Sequence, residues 1–176
     1  MDLLDIKEFF KDLFKYLVVV IVVLAAVIYV VTFEQVVGPS MEPTLNNGDV
    51  VILNKFIYRF KDIERSEIVS LYYSDSKYLI KRVIGLPGEY VEIKNNKVYI
   101  GDKMLNEYYL DDIEMDDFSL SQLGYDVIPE DMYLVLGDNR GNSLDSRNSK
   151  VGLISKDDII GRVRIRIWPI SNIGLV

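Results

Sequence analysis

The chain contains no histidine and no cysteine. The first absence removes the Ser–His partnership and all imidazole chemistry. The second removes disulfides, thiolate metal sites and a cysteine nucleophile. Basic residues are also in the minority, 20 Lys and Arg against 27 Asp and Glu, for a formal net charge of −7. That sign does not suit the phosphate backbone of nucleic acid, so no nucleic-acid partner is expected. Any serine nucleophile here has to give its proton to a carboxylate, a tyrosine or a lysine.

What the chain does have is a long apolar run near its amino terminus. Tyr16 to Phe33 are 18 residues without a charge. As a helix they span about 27 Å, close to the ~30 Å hydrocarbon core of a bilayer. The run reads as a transmembrane helix over residues 16–33. No small-x-small cleavage site follows it, so it reads as a retained anchor. Lys7, Lys11 and Lys15 precede the run, and the next basic residue after it is Lys55. This bias puts residues 1–15 in the cytoplasm and the rest of a single-pass protein on the extracytoplasmic side of the cell membrane. Leu3, Ile6, Phe9, Phe10, Leu13 and Phe14 share one side of a helical projection. They fit either an interfacial lead-in helix or a simple extension of the span.

The remainder reads as mainly β, in short apolar or alternating runs separated by turns. Val50–Leu53, Ile68–Tyr73, Tyr78–Ile84 and Asp131–Leu136 are expected strands. Tyr90–Lys94 and Lys97–Ile100 form an expected hairpin about Asn95-Asn96. Residues 161–168 alternate Arg162, Arg164 and Arg166 with Val163, Ile165 and Ile167, which predicts a half-buried strand with a basic face. Residues 106–126 are rich in acid and weakly periodic, and read as a surface excursion outside the core.

Three polar segments carry chemistry. Gly38-Pro39-Ser40-Met41-Glu42-Pro43 fixes an irregular backbone that can aim a serine and its own N–H. It fits equally a loop serine that bonds its own turn. Lys81 lies between Leu79 and Val83 in strand spacing, where partial desolvation lowers a lysine pKa toward the range a general base needs. The other reading is a lysine whose stem covers apolar surface while its head reaches water. Gly137-Asp138-Asn139-Arg140-Gly141-Asn142-Ser143-Leu144-Asp145-Ser146-Arg147 is a dense polar loop. It fails as a calcium loop, because Ser143 stands where the obligatory glycine belongs and Ser149 where the closing glutamate belongs. No metal or cofactor is expected.

The three segments, in this order after one apolar run, resemble the bacterial type I signal peptidases, in their smaller Gram-positive form. Ser40-Met41-Glu42-Pro43-Thr44-Leu45 resembles the nucleophile box of that family and Lys81–Glu89 the general-base box. Gly137–Arg140 with Ser143, Asp145, Ser146 and Arg147 resembles the third. The resemblance implies Ser40 as nucleophile, with its N–H stabilising the oxyanion. It implies Lys81 as general base, Ser143 as the residue orienting the lysine amine, and Asp145 and Arg147, with Asp138 nearby, as structural groups. It departs at Gly38, where some members carry a serine whose hydroxyl is a second oxyanion donor. It implies secretory preproteins as substrates, with small residues at the first and third positions before the cut, held in a pocket of Val36, Met41, Leu45 and Ile80. The implied organisation is a catalytic β domain over residues 34–88 and 131–176, with an inserted cap over 89–130. Two other functions fit the same features: a processing peptidase dedicated to one pilin or surface protein, and a non-catalytic anchored β domain that binds exported chains.

Overall fold

The computed structural model describes residues 3–74, 77–110 and 114–176, leaving the side chains of residues 3–5 and 26–28 aside. One long helix, α1, runs Leu3–Val30 without a break, so the lead-in and the apolar run form one element. Among the described residues no helix is long and apolar enough to cross a membrane. The side chains of 26–28, inside the expected span, lie outside that description. The apolar run also outlasts the helix. Residues 31–33 belong to a strand, because β-branched Val31 and Thr32 find backbone partners in Asn54 and Leu53.

Twelve strands follow among the described residues: β1 Val31–Gln35, β2 Val50–Asn54, β3 Ile68–Ser74, β4 Lys77–Gly85, β5 Val91–Lys94, β6 Lys97–Ile100, β7 Lys103–Met104, β8 Phe118–Ser119, β9 Met132–Leu136, β10 Ile154–Ser155, β11 Ile159–Trp168 and β12 Gly174–Leu175. They make two sheets. The larger has the order β1-β2-β11-β3-β4-β9-β10, with β12 also on β11, and the smaller the order β7-β6-β5-β8. The β5–β6 hairpin turns on Asn95 and Asn96, both at positive φ (51° and 62°), the conformation Asn tolerates best after Gly.

The smaller sheet packs on one end of the larger. Val91, Ile93, Val98, Phe118, Leu120 and Ile128 close over Ile84, Leu134 and Leu136. Gly85 lies in this seam, where a Cβ would overlap side-chain atoms of Ile128 and Val91. The acidic 106–126 stretch is therefore more than a surface excursion. Phe118 and Leu120 are buried in this core, because two apolar side chains among the acids suffice to pin the segment.

A second core, Val36, Met41, Leu45, Val51, Leu53, Ile68, Ile80 and Val163, lies beneath the β1–β2 connection. Two of the three arginines expected on the basic face of β11 are engaged. Arg162 pairs with buried Glu67 and Arg166 with buried Asp49.

Candidate active site

Ser40 stands in the connection between β1 and β2, and bonds at both ends hold that loop. Val36 N donates to Asp49 O at 2.8 Å, Gly48 N to Val36 O at 2.9 Å, and Gly38 N to the Asn47 Oδ1 at 2.8 Å. Gly38 is at φ +87°, a left-handed conformation that favours glycine. Lys81 comes from β4, between β3 and β9, where it is only 1% exposed.

The two meet. Lys81 Nζ lies 2.7 Å from Ser40 Oγ and 2.8 Å from the carbonyl oxygen of Ile80. Burial pulls the Lys81 pKa down from 10.5 to about 8, against the opposing pull of Asp145 and Asp138. A lysine so placed is neutral in a useful fraction near neutral pH and can accept the serine proton.

The 137–147 segment locks both residues from one side. Asn139 N donates to Ser40 O at 3.0 Å and Asn139 Nδ2 to Pro39 O at 3.2 Å. Asp138 accepts from Thr44 Oγ1 at 2.5 Å and from Arg82 Nε and Nη2 at 2.8 and 2.6 Å. The residue after the lysine and the loop after the serine are thus tied to one buried carboxylate. Asp145 takes Arg147 Nε and Nη2 at 2.9 and 2.8 Å and Gly137 N at 3.0 Å. Burial pushes its carboxyl up, but the Arg147 guanidinium outweighs that and holds it below the usual carboxylate range.

Ser143 differs from expectation. Its Oγ is buried and makes no hydrogen bond to Lys81; it lies beside the Asp145 carboxylate and helps to hold that carboxyl down. The lysine amine is already engaged by Ser40 Oγ and Ile80 O.

Several contributors escape a reading of the sequence. A Cβ on Gly137 would overlap both Ser143 Oγ and the Ser40 carbonyl oxygen, so the close approach of the two loops requires glycine there. Arg166 donates to Thr44 O at 3.1 Å and Asp49 Oδ2 at 3.0 Å, bracing the serine loop from β11. Its signal was the regular arginine spacing. Arg140 is fully buried, bonds Gly137 O at 3.0 Å and pairs with Glu107 from the segment beyond β7. Arg82 stacks on the Tyr109 ring, 3.8 Å from its centroid. No local pattern announces either contact.

A groove of ≈ 540 Å³ opens beside the pair. Val36, Met41, Leu79, Ile80 and Leu144 line it together with Ser40 and Lys81. Leu45 does not reach it. It is fully buried in the cluster under Val36, Met41 and Ile80 and supports the wall from behind. Among the described residues no group of three or more His, Cys, Asp or Glu side chains is arranged to hold a metal ion.

Comparison with known proteins gives the family. The family described as "Signal peptidase, peptidase S26" matches residues 7–168. A protein named signal peptidase I P from Bacillus subtilis subsp. natto is 40% identical over 142 residues, 77% of this chain and 76% of that one. Signal peptidase IB of Staphylococcus aureus (strain Mu50) is 36% identical over 157 residues, covering 82% and 81%. The crystal structure of a signal peptidase I from Enterococcus faecalis V583 superposes with a TM-score of 0.51 at 34% identity, over 58% of this chain and 97% of that one. The chain belongs to the signal peptidase family, peptidase S26, and is a serine peptidase that removes signal peptides from preproteins.

Proposed function

We propose that Ser40 and Lys81 carry this hydrolysis as a nucleophile–base dyad. Neutral Lys81 Nζ takes the proton from Ser40 Oγ as the oxygen attacks the carbonyl carbon of the scissile bond. The oxyanion that forms is met by the Ser40 N–H. Gly38 offers no hydroxyl, and its N–H is already given to the Asn47 Oδ1, so Gly38 does not supply a second donor. The lysine ammonium then protonates the leaving amine, the C–N bond breaks and an acyl-enzyme remains. Water, deprotonated by the same lysine, attacks the ester, and Ser40 Oγ recovers its proton.

The observation that carries this reading is the 2.7 Å Lys81 Nζ–Ser40 Oγ contact at a lysine whose pKa is lowered to about 8. Asp138, Asp145 and Arg147 serve as positioning groups that fix the two loops. Ser143 lies against Gly137 and beside the Asp145 carboxylate, and its hydroxyl turns to the lysine amine when substrate displaces the present contacts.

The groove fits small side chains at the first and third positions before the cut, against Val36, Met41 and Ile80. The uncharged run Tyr16–Phe33 supports a single-pass anchor with residues 1–15 in the cytoplasm and the β domain outside. Residues 34–88 and 131–176 make the catalytic part and 89–130 the cap. The test is cleavage of a synthetic signal-peptide substrate by the full chain, its Ser40→Ala variant and its Lys81→Met variant. Both variants are expected to be folded and inactive. Turnover near the wild-type rate in either one refutes the dyad.

A further inference from the structure

Lys55 and Arg59 stand at the place where α1 meets the β domain. Lys55 N donates to Val30 O, the last residue of the helix, at 3.0 Å. Asn54 Oδ1 accepts from Phe56 N at 3.0 Å and Ile57 N at 3.1 Å, which starts the single 3₁₀ turn Ile57–Arg59 and fixes it. Between this turn and the helix is a cavity of ≈ 650 Å³ lined by Ala25, Tyr29, Lys55, Phe56 and Arg59.

Two properties of this corner ask for an explanation. The first is charge. Arg65, Arg82, Arg140, Arg147, Arg162 and Arg166 each have a carboxylate at ion-pair distance. Exposed Lys55 and Arg59, like exposed Arg164, have none among the described residues, and Lys55 and Arg59 stand together on the wall of one cavity. Lys55 acts on the Glu34 carboxylate through space but forms no ion pair with it.

The second property is apolar exposure. Phe60 is 75% and Tyr29 66% exposed. Tyr29 packs on Phe56 with ring centroids 6.4 Å apart, and Phe56 on Phe60 at 5.1 Å. The Arg59 guanidinium lies over the Phe56 ring, 4.8 Å from its centroid. Aromatic rings with cations on flexible stems suit the headgroup level of a bilayer, where rings sit among glycerol groups and cations reach phosphates.

We propose that this corner binds the phosphate of an anionic phospholipid in the extracytoplasmic leaflet. Lys55 and Arg59 hold the phosphate oxygens, and Tyr29, Phe56 and Phe60 flank the glycerol and upper acyl chains. Free phosphate shares the charge but has no use for the aromatic walls, so the lipid is the occupant. The site rests on the anchor reading, because only a helix crossing the bilayer brings this turn to its surface. Bound there, the lipid fixes the height of the domain above the membrane, and with it the height of Ser40.

The test uses the full chain and its Lys55→Gln/Arg59→Gln variant. Each is reconstituted in phosphatidylcholine vesicles containing phosphatidylglycerol, and the preference for spin-labelled phosphatidylglycerol over spin-labelled phosphatidylcholine is read from the motionally restricted fraction. Two cations near an anionic surface are each worth about a factor of five. The variant should lose up to about thirty-fold in that preference, whereas Lys7→Gln/Lys11→Gln should retain the part due to this corner. Cleavage of a short peptide in detergent should be unchanged in both variants, which establishes that they fold. Equal lipid preference in wild type and Lys55→Gln/Arg59→Gln overturns the site. Flotation on pure phosphatidylcholine vesicles tests the anchor by itself: failure to float sinks the anchor, whereas normal flotation without lipid preference sinks only the site.

Discussion

The two sheets of this protein solve different problems. The smaller one is held by apolar packing: Val91, Ile93, Val98, Phe118 and Leu120 close on each other and on the larger sheet. The larger one, with its loops, contains all the buried polar and charged side chains found among the described residues: Asp49, Glu67, Ser70, Lys81, Arg82, Asp138, Arg140, Asp145 and Ser146. None falls between residues 89 and 130, the stretch that builds the smaller sheet. Burying ions is unfavourable unless each is paired and hydrogen-bonded, and it often adds nothing over an apolar core. Their concentration on one side marks where the chain gives up stability for chemistry. The carboxylates are all matched by arginines. Lys81 alone is a buried cation whose nearest polar partner is a hydroxyl.

The largest expected difference between the two regions is in activity. Ser40→Ala and Lys81→Met should each lower signal-peptide cleavage by at least about ten-thousand-fold, since without histidine no other residue is placed to take over either role. Ile93→Val in the smaller sheet should leave cleavage unchanged. A single-turnover assay separates these outcomes.

Stability should show the next contrast. Asp138→Asn leaves the Arg82 guanidinium buried with a weakened partner and loosens Thr44, so it should cost about 3–5 kcal/mol in urea unfolding. The lysine should behave in the opposite sense. The folded pKa of Lys81 is lowered from 10.5 to about 8, so below pH 8 the fold carries a buried ammonium at a cost. Between about 8 and 10.5 the folded chain has shed that proton while the unfolded chain still holds it, so stability rises with pH across this window. Lys81→Met should therefore be more stable than wild type at neutral pH by on the order of 3 kcal/mol, and should lose the rise. Equal stability of the two at pH 7 argues that the lysine is better solvated than its burial suggests. Smallest of all, Ile93→Val should cost only about 0.5–1.5 kcal/mol.

Much of the site was legible in the sequence because its chemistry is written in short segments. Ser40, Lys81 and the 137–147 loop were each ambiguous alone, but their order after one apolar run made them legible together, and the missing histidine made the lysine the natural partner. What joins them was not legible. The Asn139 bonds to Ser40 and Pro39, the Thr44–Asp138–Arg82 chain and the Glu107–Arg140 pair link residues far apart in sequence, and no local pattern encodes them. Gly137 stood in the sequence only as the first residue of a polar loop. Its real constraint is the Ser40 backbone lying where a Cβ would go.

The strands were readable wherever apolar residues ran together or alternated, as in β2, β4, β9 and β11. The boundary between α1 and β1 was not. Val30 and Val31 are the same residue type, and only the β2 backbone, where Asn54 pairs with Val31, decides which is helix and which is strand. Phe118 and Leu120 were missed for the opposite reason, since the acids around them hid two core residues in a segment without periodicity. Leu45 was placed one layer too near the substrate, because an apolar residue five positions after a nucleophile can equally line a pocket or hold it up.

The central claim is that Lys81, made a base by burial, activates Ser40. The most direct measurement is kcat/KM for a synthetic signal peptide as a function of pH, under conditions where chemistry limits the rate. A single ascending limb with its midpoint near 8 is expected, following the lowered pKa of the lysine. A flat profile across that region, or a midpoint near the ordinary 10.5, means that Lys81 is not the base.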